Sequence, residues 1–122
     1  MTNKDSFLVN RLKSIGLAFK GAYLLIKTEA SIQIQFVIAI LMIVAGFYFD
    51  ISSTEWMFQI LAICLVMGLE GLNTAVEKLA DFIHPQQNEK IGFIKDISAG
   101  AVFFAALAAI LVGLIIYCPK LV

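Results

Sequence analysis

Between Glu29 and Asp50 the chain runs from Ala30 to Phe49 without a charged residue. Twenty residues at a helical rise of 1.5 Å extend about 30 Å, the thickness of a bilayer's hydrocarbon core. A second apolar run starts at Trp56 and a third, also free of charge, covers Ile97 to Cys118. Hydrocarbon offers the backbone no hydrogen-bond partners, so segments of this kind must satisfy their own and become helices. The residue usage agrees: 61% of the 122 residues are hydrophobic and 15% charged, more apolar surface than a soluble domain of this size could cover. The expected fold is an all-α membrane protein in one domain, residues 1–122. It has three transmembrane helices, about 30–49, 56–76 and 97–118, and an N-terminal amphipathic surface helix, about 6–27.

The surface helix is read from Leu8, Leu12, Ile15, Phe19, Tyr23 and Ile26, whose spacings of three and four put them on one helical face. Lys13, Lys20 and Lys27 recur every seventh residue along one flank, suiting a helix with its apolar side in the acyl boundary and its lysines toward anionic headgroups. A helix packed on a protein partner would give the same periodicity. Met1 to Ser6 is polar and expected to fray. Asp50 to Glu55 reads as a polar turn whose Ser and Thr residues can cap the helix starting at Trp56; Tyr48 and Trp56 flank it as interfacial aromatics. His84-Pro85 should break the second spanning helix, and Pro119-Lys120 should end the third.

Several classes are set aside. Formal net charge is zero, with scattered basic residues, so nucleic acid is not an expected partner. Cys64 and Cys118 lie in apolar runs without a CxxC or Cys/His spacing and read as inert thiols. The first thirty residues lack the apolar core and small-residue site of a cleavable signal peptide. Of the nine basic residues, Lys4, Arg11, Lys13, Lys20 and Lys27 precede the first span, Lys78, Lys90 and Lys95 lie between the second and third, and Lys120 follows the third. Positive charge concentrates on the cytoplasmic side, so the N-terminus and the Lys78–Lys95 loop are expected there and the C-terminus outside.

The second span carries the chemistry. Glu70 interrupts an otherwise lipid-compatible run, and a carboxylate at membrane depth costs enough to demand a role. Glu70, Asn73, Glu77 and Asp81 fall on one helical stripe. Glu29 and Glu77 are expected at similar depth at the cytoplasmic interface, where two carboxylates form a hard oxygen site suited to Mg²⁺ shared with nucleotide phosphates. Asn73 can add an oxygen or donate to a phosphate, and Lys95-Asp96 can neutralise phosphate charge and orient a group. Glu70, about 10 Å deeper than Glu77 along the axis, could accept the proton of a lipid hydroxyl. Together these parts suggest phosphoryl transfer from a nucleotide to a lipid alcohol. Each has a plainer reading as well: a structural polar residue between helices for Glu70, interface acids for Glu29 and Glu77, an ordinary helix start for Lys95-Asp96. No phosphate-binding glycine loop of the soluble kinases is present.

Lys20-Gly21, Glu29-Ala30, Glu70-x-x-Asn73-x-Ala75-x-Glu77 and Lys95-Asp96 followed by Ala99-Gly100-Ala101-Val102 resemble the prokaryotic diacylglycerol kinase family, which includes undecaprenol kinases, over nearly the whole chain. The resemblance implies an ATP- and Mg²⁺-dependent kinase of the bacterial inner membrane, acting as a homotrimer with composite sites. Glu70 is then the general base, Glu29 and Glu77 hold the metal, and Lys20, Glu70 and Ser98 meet the lipid. Nucleotide contacts are implied for Arg11, Glu29, Asn73, Glu77, Gln86, Asn88, Lys95 and Asp96, with the loop around Gln86–Asn88. The Lys95-to-Val102 form looks closer to the undecaprenol kinase branch. Two positions depart from the family pattern: Gln33 stands where an arginine is common, and Leu17 where an aromatic is. They leave a catalytically weakened relative open, and a non-catalytic oligomeric channel or carrier subunit is the alternative from another class.

Overall fold

A computed structural model describes residues 6–86 and 88–122; Met1–Asp5, including most of the segment expected to fray, and Gln87 in the second loop lie outside the described residues. The described chain forms four helices: α1 Phe7–Thr28, α2 Ala30–Tyr48, α3 Ser53–Ile83 and α4 Glu89–Leu121. The last three are long and apolar enough to cross a membrane. α3 packs most extensively on α4, less on α2, and α1 mainly meets α2.

Ser6 starts α1 by accepting a hydrogen bond from the Val9 amide at 3.2 Å. No α1 residue is buried: Leu8, Leu12, Ile15 and Phe19 are all exposed, Phe19 by 74%. Among the described residues, nothing buries the stripe from Leu8 to Tyr23. Asn10, Ser14 and, toward the end, Leu25 and Ile26 are the half-buried residues of α1. There Glu29 adopts an extended conformation (φ −109°, ψ 117°) that ends α1 and turns the chain directly into α2. The side chain of Gln33 holds this joint, its Nε2 donating to the carbonyls of Ile26 (3.0 Å) and Lys27 (3.1 Å). Carbonyls in the last turn of a helix lack intrahelical donors, and Gln33 supplies two of theirs from the next helix.

At the other end of α2 the chain turns back within four residues. Asp50 has a left-handed φ of 52°, which a short polar side chain tolerates better than most. Ser52 and Glu55 then form a capping box: the Ser52 Oγ accepts from the Glu55 amide (3.1 Å) and Glu55 Oε1 from the Ser52 amide (2.9 Å). α3 therefore begins at Ser53, three residues before the expected start. Trp56 packs against Gly46, where an added Cβ would stand 2.7 Å from the indole. Ile51, Ile116 and Tyr117 form a core beneath it.

Two helices extend beyond the apolar lengths of their spans. α3 continues past residue 76 to Ile83, 31 residues or about 46 Å at helical rise, because nothing before Pro85 breaks it. α4 starts at Glu89, not at 97, capped by Asn88 Oδ1, which accepts from the Lys90 amide at 2.8 Å. α3 thus ends at the expected His84-Pro85 break, and the charged turns beyond each apolar run are still helical. Pro119, by contrast, does not end α4, which runs on to Leu121. A proline this close to the end removes only one amide donor, and Lys120 Nζ donates to the neighbouring Ile116 carbonyl at 3.1 Å.

Around the Asp50–Ser52 turn, polar groups tie the three long helices together. Gln59, 4% exposed, donates from Nε2 to the Met42 carbonyl (3.1 Å) and accepts from the Tyr117 hydroxyl (2.6 Å). Lys120 Nζ reaches Glu55 Oε2 at 2.9 Å. One end of the bundle is thereby fixed.

Candidate active site

The opposite end of the bundle gathers the second half of α3, the α1–α2 joint, the 84–88 loop and the first turns of α4. Glu70 is half-buried on α3. Its neighbour Gly71 is buried because Leu25 of α1 packs on it: a Cβ there would meet Leu25 Cδ1 at 2.9 Å. The lack of a side chain at 71 thus lets α1 approach α3 one residue from the carboxylate. Asn73, one turn on, is half-buried, and its Oδ1 is buried without a hydrogen-bond partner. Glu77 and Asp81, further along the stripe, are exposed.

Glu29 reaches α3 from the joint, and its carboxylate lies 3.3 Å from the ammonium of Lys78, next to Glu77. Among the described residues no group of three or more His, Cys, Asp or Glu side chains converges on one point. The expected metal site is smaller: two carboxylates and an amide, all hard oxygen donors. The orphaned Asn73 Oδ1 is an acceptor of the kind such a site needs, and a Mg²⁺ that keeps water and phosphate ligands fits this set.

A second feature lies in the α3–α4 turn, a cavity of about 370 Å³ whose lining includes Asp81, His84, Gln86, Asn88, Glu89 and Lys95. Three expected nucleotide residues, Gln86, Asn88 and Lys95, meet here. His84 braces the loop, its Nδ1 lying 2.7 Å from the Gln86 carbonyl oxygen. Lys95 Nζ forms an ion pair with Asp81 Oδ1 at 2.5 Å, linking α3 to α4.

The remaining residues are not gathered within one chain. Asp96 is exposed and does not line the cavity. Ser98 is half-buried on α4; Lys20 and Leu17 are exposed on α1. Arg11 stacks its guanidinium 5.7 Å from the Phe7 ring centre, and the eighteen residues separating it from Glu29 along α1 amount to about 27 Å. Residue patterns missed three partners: Lys78 for Glu29, Asp81 for Lys95, and His84 in the cavity wall. The last turns of α3 and the first turns of α4, beyond the apolar runs, bring the last two together.

Membrane-length helices with an acidic stripe, a half-buried carboxylate and a polar cavity at one end define a helical membrane protein with a polar site. The chain belongs to the prokaryotic diacylglycerol kinase family, whose model matches residues 16–117. It is thus a lipid kinase and a multi-pass membrane protein. It is 35% identical over 109 residues to the undecaprenol kinase of Bacillus subtilis (strain 168), covering 89% of each chain. The diacylglycerol kinase of Escherichia coli (strain K12) is 30% identical over 111 residues, 91% of each chain. That of Synechocystis sp. is 34% identical over 113 residues, 92% of this chain and 65% of the longer relative.

Proposed function

We propose that this protein transfers the γ-phosphoryl group of ATP to the hydroxyl of a membrane lipid, undecaprenol or diacylglycerol. The observation that carries the reading is Glu70: a half-buried carboxylate beside the Gly71–Leu25 contact, where α1 meets the bundle. A lipid alcohol held along α1, with Lys20 and Ser98 contributing to its binding, brings its hydroxyl to Glu70. As the hydroxyl oxygen attacks the γ-phosphorus, its proton passes to Glu70, the new O–P bond forms, and the bond to ADP breaks. Lys95, with Gln86, Asn88 and Asp96, binds the nucleotide and screens its phosphates; Asn73 offers its amide on the stripe between base and metal. Glu29 and Glu77 would hold Mg²⁺, which neutralises phosphate charge.

Arg11 stands too far along α1 to reach its own Glu29, which supports sites shared between subunits of a homotrimer. The basic residues before α2 and around the 84–88 loop support a cytoplasmic site in the bacterial inner membrane, with the C-terminus outside. The test offers purified protein, Mg²⁺ and γ-labelled ATP to undecaprenol and diacylglycerol separately in mixed micelles. Label in a lipid phosphate is expected, and the preferred alcohol identifies the substrate. Transfer to neither defeats the reading.

A further inference from the structure

We propose that Asp81 is a positioning residue that holds Lys95 at the loop cavity in readiness for nucleotide phosphates, an inference that rests on the nucleotide reading above. Asp81 lies on the last turns of α3 and Lys95 on the second turn of α4, fourteen residues apart, yet their side chains meet at 2.5 Å and both line the same cavity. The pair does little for the fold: the Asp81 side chain is 59% and that of Lys95 34% exposed, and ion pairs this wet contribute little to stability. Its consequence is geometric. A lysine on a flexible four-carbon stem loses rotamer freedom when it binds a phosphate, and one already held loses less. An ammonium has three donors; Asp81 occupies one and leaves two for phosphate oxygens. The cavity wall is fixed around it, since His84 braces Gln86, and Asn88 caps α4 while lining the same space. Among these lining residues Lys95 carries the one ammonium, paired with Asp81, so an anionic ligand has this group to approach and its position sets the affinity.

The experiment measures binding of a non-hydrolysable ATP analogue with Mg²⁺ by calorimetry, using the full chain in micelles. Asp81→Ala and the isosteric Asp81→Asn should each raise Kd by about fivefold, while Asp81→Glu stays within about twofold of wild type. The melting temperature should stay nearly constant. In a Lys95→Met background, which itself binds more weakly, Asp81→Ala should add nothing. Equal or tighter binding by Asp81→Ala and Asp81→Asn overturns the inference by showing the carboxylate to be a mere competitor. An undiminished effect without Lys95 overturns it by showing that Asp81 acts elsewhere. A wild-type protein that binds no nucleotide removes the functional reading and this inference with it; wild-type binding with unaltered variants removes this inference alone.

Discussion

The carboxylate of Glu29, at the joint between α1 and α2, lies 3.3 Å from the ammonium of Lys78, the residue that follows Glu77 on α3. One acid expected to hold metal therefore already has a cation on it. An ion pair whose lysine is 72% exposed is worth about 1 kcal/mol, which a divalent ion bound by two carboxylates readily outweighs. Lys78→Met removes the competitor and should lower the Mg²⁺ concentration for half-maximal activity by up to about fivefold. A Mg²⁺ titration of lipid phosphorylation checks this; an unchanged or raised requirement would mean that Lys78 supports Glu29 instead.

Glu70→Gln keeps the size and polarity of the side chain and removes its capacity to accept a proton. Turnover should fall by at least about 100-fold, the lower end of what a positioned general base contributes, while binding of the Mg²⁺–ATP analogue stays near wild type. Single-turnover kinetics beside calorimetry separate the two. Near-normal turnover would move the proton acceptor to another residue.

The broad architecture was legible because it rests on composition: two charge-free runs and a third interrupted only by Glu70 become helices in a bilayer, and the spacing of Leu8 to Ile26 marks an amphipathic face. The acidic stripe was legible because helical periodicity alone puts Glu70, Asn73, Glu77 and Asp81 together. Helix ends were harder to read where no proline marks them: His84-Pro85 closes α3 at Ile83, but nothing in residues 89–96 distinguishes a helix approaching the membrane from a loop. Without those ends the Asp81–Lys95 contact has no register. Gln33 illustrates a second limit: in the sequence it stood out only as a departure from the family pattern, and its carboxamide caps α1 from within α2. Side-chain to backbone bonds across a joint leave no periodic trace.

The approach of α1 to α3 depends on Gly71. Adding a Cβ there puts a methyl 2.9 Å from Leu25 Cδ1, too close for contact but against the tip of a flexible side chain. Gly71→Ala should push α1 outward and raise KM for the lipid severalfold while leaving nucleotide affinity unchanged. Leu25→Ala on that background removes the clash and should restore much of the loss. Failure of the second change to rescue would show that Gly71 matters for something other than the gap between the helices.

The far end of the bundle provides the converse case. Tyr117 donates to Gln59 Oε1 at 2.6 Å, and Gln59 in turn donates to the Met42 carbonyl, joining α2, α3 and α4 away from the acidic stripe. Tyr117→Phe deletes the hydroxyl and leaves a buried amide oxygen without its donor. Interhelical hydrogen bonds in membranes average about 0.6 kcal/mol and reach about 1.7; the buried, three-helix arrangement puts this one toward the upper figure. Unfolding in denaturing detergent should therefore shift by about 1–2 kcal/mol, with kcat and both KM values close to wild type. Altered kinetics at unchanged stability would mean that the two ends of the bundle are coupled, and that the Gln59 network sets the geometry around Glu70 as well as anchoring the helices.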